Sequence, residues 1–267
     1  MPSRQVNLLS ILAAVSVFVL LIAGAAVTSS LDQPKLLWLS GLHRTAAMVV
    51  TPLVIVVIGL VTALFRSASP ALSRFSWILL VALLCEVWLG YRTTLWTAHA
   101  ILSALLFAGV SVIALVTSPS WQREPEFVRD YGWPSLRFLS AAAAFLVAVQ
   151  VGFGAAMRHN ATGVLPHLLG ALIVAIFIII VGVFATNQFP KHATLRPLAV
   201  TLMVITGVQV FLGMAAFLMK MMNLSASAAW LAVSVSHVAT GNLTLAFSVM
   251  LAIEIRRNVR PRLVDGS

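Results

Sequence analysis

Eight stretches of this chain are apolar for about 20 residues or more, the length a helix needs to cross the hydrocarbon layer of a bilayer. They fall at approximately 7–28, 38–64, 73–91, 96–117, 135–157, 164–185, 195–219 and 229–254. In hydrocarbon every backbone N–H and C=O must be satisfied internally, so each stretch is restricted to a helix or to part of a closed barrel. Runs this long and continuous have no alternating pattern, which leaves the helix. The expected fold class is therefore all-α integral membrane, with eight transmembrane helices.

Composition agrees. Hydrophobic residues make up 61% of the 267 residues and charged residues 9%, against roughly 25% charged in a soluble domain. Mean hydropathy is +1.03. The formal charge of +10 does not indicate nucleic acid, because almost no polar surface exists on which to build such a site. The lone cysteine, Cys85, excludes an intramolecular disulfide and any multi-cysteine metal site. The first run, after "MPSRQ" and ending in "AGAAVTSS", shares features with a signal peptide. Its apolar core exceeds the usual 7–15 residues, so it is read as a retained helix.

Lysine and arginine set the orientation. With the N-terminus cytoplasmic, that side holds Arg4, Arg66, Arg74, Arg123, Arg129, Arg137, Lys191, Arg196, Arg256, Arg257, Arg260 and Arg262, against Lys35, Arg44, Arg92, Arg158 and Lys220 opposite. Both termini are expected on the cytoplasmic side, and lipid is the expected surrounding partner.

Four histidines, His43, His99, His167 and His237, stand near the start of helices 2, 4, 6 and 8. The preceding helices carry a repeat: "EVWLG" (Glu86–Gly90), "QVGFG" (Gln150–Gly154), "QVFLG" (Gln209–Gly213), and the weaker "LLIAG" ending at Gly24. The longest polar connector, "PSWQREPEFVRDYGWPSLR", divides the chain into two tandem four-helix bundles, residues 1–125 and 126–267. One intramembrane histidine is explained by an interhelical hydrogen bond worth about 0.6 kcal/mol. Four at matching positions point to function, since ionisable groups are rare inside membranes. Small residues follow each by four positions, Ala47, Ser103, Ala171 and Gly241, on the same helical face, as a flat histidine-ligated macrocycle requires.

Heme iron takes axial histidines from helices. Zinc takes four ligands, and the embedded acids Glu86 and Glu254 are not beside a histidine in sequence, so heme is preferred. All four histidines lie at one level, unlike a carrier that stacks two hemes across the bilayer. Two bis-histidine sites are expected, His43 with His99 and His167 with His237, so that the four are also the expected metal ligands.

The segments "QVGFGAAMRHNATGVLPHLLGALIV", "GVQVFLGMAAFL…SHVATGNLTLAF" and "LHRTAAM" make the chain resemble the heme A synthase, or cytochrome oxidase assembly factor, family. The resemblance covers nearly the whole chain. It implies oxidation of a methyl group of heme O to give heme A, a substrate-heme site in the first half, and a heme b in the second. It also implies a bacterial cytoplasmic membrane as location, with heme O synthase and cytochrome oxidase as partners and no nucleic acid. Arg44, with Arg92 and Arg158, is suited to heme propionates or equally to lipid headgroups.

Two departures from the family pattern bear on activity. Ser40 stands where family members have a glutamate, leaving the catalytic residue unknown, and Asp32 is the nearest substitute acid in the first outer loop. The outer loops are short, nine positions from Gly90 to His99 and thirteen from Gly154 to His167. A non-catalytic heme-binding or assembly protein and a quinol-linked electron-transfer subunit remain the alternatives. His159 is expected near the outer heme level, and His192 in a solvated loop.

Overall fold

The computed structural model describes residues 4–30, 36–67, 69–130 and 132–260; Asp32, Lys35 and Arg262 lie outside them. Eight helices follow in chain order: α1 Arg4–Ser29, α2 Trp38–Phe65, α3 Pro70–Gly90, α4 Trp96–Val116, α5 Leu136–Arg158, α6 Val164–Gln188, α7 Leu195–Met221 and α8 Ala228–Asn258. All eight are long and apolar enough to cross a membrane. The shortest, of 21 residues, reach about 31 Å at 1.5 Å per residue, the thickness of a hydrocarbon core. Large apolar side chains such as Met48, Phe145 and Phe211 are exposed, as expected of a surface that faces lipid rather than water. The protein is an all-α integral membrane protein.

Local chemistry fixes several helix starts. The hydroxyls of Ser69, Ser135 and Ser227 accept hydrogen bonds from the amides of Leu72, Phe138 and Trp230, each satisfying one orphan donor of a first turn. Pro70 occupies the first turn of α3, where its missing N–H costs nothing.

α1 packs on α2 and α4, and α3 on the same two, closing a ring of four helices; α5 to α8 close a second ring in the same way. The rings meet along α1, α4, α5 and α8. Within each ring the even helices are therefore diagonal to one another and share the interior. Apolar side chains do not drive helices together in lipid, so close approach depends on small residues. Gly109 of α4 is one such contact: a Cβ there would collide with Leu79 of α3. Near the start of α1, Asn7 donates to the Ala114 carbonyl at 2.9 Å and to the Thr117 hydroxyl at 3.2 Å, which ties α1 to α4.

The connector between the rings is strapped to the end of α8. Val128–Arg129 (β1) pairs in parallel with Val259–Arg260 (β2). Arg257 lies over the Trp121 ring at 4.3 Å and donates to the Trp121 and Arg123 carbonyls. Asp130 is 1% exposed, and its carboxylate accepts from the amides of Gly132 at 2.9 Å and Leu136 at 2.5 Å. Asp130→Ala leaves both donors without this partner, at about 1–3 kcal/mol each, and is expected to lower the thermal unfolding midpoint in detergent clearly.

His192, expected in a solvated loop, is instead buried, at 5% exposure. Its Nδ1 accepts from the amides of Thr194 at 3.2 Å and Leu195 at 3.3 Å, and its Nε2 donates to the Glu126 carbonyl at 3.2 Å. The ring thus caps the start of α7 and holds the connector, a role set by tertiary contact with a segment 66 residues away.

Candidate functional site: four cradled histidines

His99 and His167 are the fourth residues of α4 and α6, while His43 and His237 lie on α2 and α8. Each imidazole packs on a glycine of the preceding helix. A Cβ built on Gly24, Gly90, Gly154 or Gly213 would meet Cε1 of His43, His99, His167 or His237 at 3.1, 3.3, 3.1 and 2.7 Å. In all four pairs Cε1 is the nearest ring atom, Nδ1 the next and Nε2 the third. One ring orientation is thus used four times, and the glycine ending each sequence repeat is the floor beneath it.

Those four glycines differ in how much space they leave. An alanine gains up to about 1 kcal/mol over glycine inside a helix, and overpacking costs about 1–3 kcal/mol. At Gly213 the clash is severe, so Gly213→Ala is expected to destabilise the protein. At Gly90 the neighbour needs to yield by only a few tenths of an ångström, so Gly90→Ala is expected to be close to neutral. Thermal unfolding of the two variants in the same detergent measures the difference.

One helical turn before each glycine stands a residue on the same face: Leu20, Glu86, Gln150 and Gln209. Three of them carry polar side chains, and each reaches its histidine. Oε1 of Glu86 lies 2.9 Å from Nδ1 of His99, at ion-pair distance though out of line with the ring N–H. The Ser103 hydroxyl, one turn beyond His99, also donates to Oε1. The Gln150 amide nitrogen is 2.9 Å from Nδ1 of His167 and donates to the His167 carbonyl at 2.8 Å. Nδ1 of His237 donates to the Gln209 carbonyl at 3.1 Å, with the Gln209 amide nitrogen 3.5 Å from Nε2. Glu86 is thus beside a histidine in space although not in sequence. Its place in "EVWLG", matching the glutamines of "QVGFG" and "QVFLG", was the signal for it.

The small residues after the histidines turn out to serve these partners in at least two cases. Ser103 binds Glu86, and a Cβ on Gly241 would meet the Gln209 amide nitrogen at 2.9 Å. Space at those positions is therefore taken by protein.

The structure brings His167 and His237 together across the second ring: their ring centroids are 6.1 Å apart and their planes nearly perpendicular, at 88°. His43 and His99 occupy the equivalent cradles of the first ring. Buried polar atoms without a hydrogen-bond partner gather at this level, among them Nδ1 of His43, Nδ1 of His99, Oε2 of Glu86 and Oε1 of Gln150. Such atoms in a native fold call for an explanation, a bound group among them.

The remaining residues are placed less centrally. Ser40 lies one turn before His43, and its hydroxyl donates to the Leu37 carbonyl at 2.8 Å. Arg44 is exposed, and the Arg92 guanidinium lies 5.1 Å from the Trp88 ring centroid. Arg158 donates to the Ala25 carbonyl at 2.7 Å, to the Ser29 hydroxyl, and to the Ser234 hydroxyl at 3.3 Å. It therefore joins the two rings across α1 and α8. His159, just past α5, has its ring centroid 6.3 Å from that of Trp96; burial, then the Arg158 guanidinium and His99, push it below the usual imidazole value. Glu254 is at the opposite end of α8, bonded to Asn258 at 2.7 Å. Among the described residues no group of three or more His, Cys, Asp or Glu side chains is arranged to hold a metal ion. No protein-family model matches this chain, and a search of curated proteins finds none similar to it.

Proposed function

We propose that the chain is a membrane heme protein of the heme A synthase type, with one heme site in each four-helix half. The observation that carries this reading is the 6.1 Å separation of the His167 and His237 rings. Two imidazoles sharing one iron place their ligating nitrogens about 4 Å apart, and half a ring at each end brings the centroids to about 6 Å. The donor set is two imidazoles on diagonal helices, with no thiolate or third ligand required; ligation through Nε2 of His167 would move its proton to Nδ1 and turn the Gln150 amide that faces it.

In this reading His167 and His237 hold a heme b, and His43 and His99 hold heme O as substrate or heme A as product. Bound heme b supplies one-electron redox chemistry. The protein orients the rings: a backbone carbonyl only accepts, so its contact with Nδ1 of His237 places the proton there and makes Nε2 the ligand nitrogen, whose long 3.5 Å contact with the Gln209 amide gives way to iron. Arg44, beside His43 and exposed, is available to a propionate. Both termini are cytoplasmic in this scheme, the membrane is a bacterial cytoplasmic membrane, and heme O synthase and cytochrome oxidase are the partners before and after the reaction.

A second reading, a non-catalytic protein that binds heme for oxidase assembly, is favoured by Ser40, whose hydroxyl is tied to its own helix. The test common to both is a reduced-minus-oxidised spectrum of the purified protein with extraction and identification of its heme. A b-type spectrum with two nitrogen ligands is expected. Protein from heme-replete cells that carries no heme and binds none on titration with hemin overturns both.

A further inference from the structure

The four positions one turn before the cradle glycines are not equivalent: they hold Leu20, Glu86, Gln150 and Gln209. Among the described residues only Glu86 places a carboxylate against a histidine of this level, with Oε1 2.9 Å from Nδ1 of His99. Its other oxygen, Oε2, is buried with no hydrogen-bond partner. The Ser103 hydroxyl, one turn along the same helix as His99, donates to that same Oε1, so the group is held at the ring rather than free to turn away.

Carboxylate and carboxamide differ at this position in two respects. A carboxylate oxygen only accepts, so at 2.9 Å it favours the imidazole tautomer with its proton on Nδ1, by charge alone because the contact is out of line for a hydrogen bond, and turns the Nε2 lone pair away. A carboxamide presents either a donor or an acceptor. At Gln150 it is the nitrogen that faces Nδ1 of His167, held there by its bond to the His167 carbonyl. Turning that amide to accept from Nδ1–H breaks the bond to the carbonyl. The second difference is basicity. A carboxylate behind a ligating histidine raises the electron density it offers a metal, and the loss of such a partner typically weakens metal affinity about 10–100-fold.

We infer that Glu86 is a positioning residue that makes His99 a pre-oriented and more basic ligand than His167, so that the two halves are electronically unequal, the first-half site having the lower reduction potential. This rests on the reading of one heme site per half, and it extends that reading by assigning the asymmetry to one side chain. The neutral partners of the second half suit a group that takes up and passes on electrons. The carboxylate-backed half suits a site that favours the oxidised state.

The test uses the full-length protein loaded with heme, followed by spectroelectrochemical titration and low-temperature EPR. Glu86→Gln keeps the shape and an acceptor but removes the carboxylate. It is expected to raise the first-half midpoint potential and shift the first-half EPR signal while the second-half signal stays in place. Glu86→Leu removes the acceptor and is expected to weaken first-half heme binding about 10–100-fold. The reciprocal change, Gln150→Glu, is expected to lower the second-half midpoint, and it carries the test even if the Glu86 variants fail to fold. Wild-type protein without heme in either half overturns the heme reading and this inference together. Heme-loaded protein whose two midpoints are indifferent to both Glu86→Gln and Gln150→Glu overturns this inference alone.

Discussion

His237→Ala is expected to abolish the six-coordinate low-spin b-type spectrum of the second half entirely. The ring sits 6.1 Å, centroid to centroid, from His167, so its removal leaves any iron held there with one protein ligand, open on the other side and altered in spin state and potential. His167→Ala is expected to do the same from the opposite face. His43→Ala and His99→Ala serve as controls, because they lie in the other ring and leave the second-half signal unchanged. Helical content by circular dichroism separates loss of ligation from loss of fold. A low-spin signal that survives both His167→Ala and His237→Ala would place the heme elsewhere in the protein.

Heme A formation is the second large effect, and here the expected result is weak or absent activity from the wild-type chain. Oxidising a methyl group requires something to manage the released proton, and a carboxyl whose pKa is raised by an apolar setting does this well. A serine hydroxyl does not exchange a proton near neutral pH, and that of Ser40 is bonded to the Leu37 carbonyl besides. Glu86, the acid that the described residues place beside a histidine of this half, is engaged with His99 and Ser103. The measurement is co-expression with a heme O synthase in cells that make no heme A, then chromatography of the extracted hemes. Heme A that appears only with Ser40→Glu assigns the missing proton chemistry to that position. Abundant heme A from the unaltered chain shows that Ser40 is no obstacle and that another group does the work.

Much of the fold was legible because bilayer thickness leaves little freedom. The expected stretch 96–117 is the helix Trp96–Val116, and 195–219 is Leu195–Met221. Helix ends were less legible where polar side chains find partners: α8 runs on to Asn258, which donates to both the side chain and the carbonyl of Glu254. The histidine level was visible as a repeat, and the pairing of His167 with His237 agrees with it. The glycine floors were present in the same repeat, but their contact with the rings depends on how far each helix slides past the next, and the short turn Thr93–Leu95 sets that between α3 and α4. Neither the Glu86–His99 contact nor the burial of His192 follows from local pattern, since both need the register or the docking of a distant segment.

The parallel pairing of Val128 and Arg129 with Val259 and Arg260 bears on the order of events during synthesis. A ribosome delivers the chain from its N-terminus, so the middle connector emerges well over a hundred residues before the strand it pairs with. Asp130, whose amide donates to the Arg260 carbonyl at 3.0 Å, likewise waits for that carbonyl. The first four helices therefore enter the bilayer with their seam toward α5 and α8 still facing lipid. The connector is clamped only after α8 and the strand that follows it have left the exit tunnel, so the two rings are tied together at this end after all eight helices have been made.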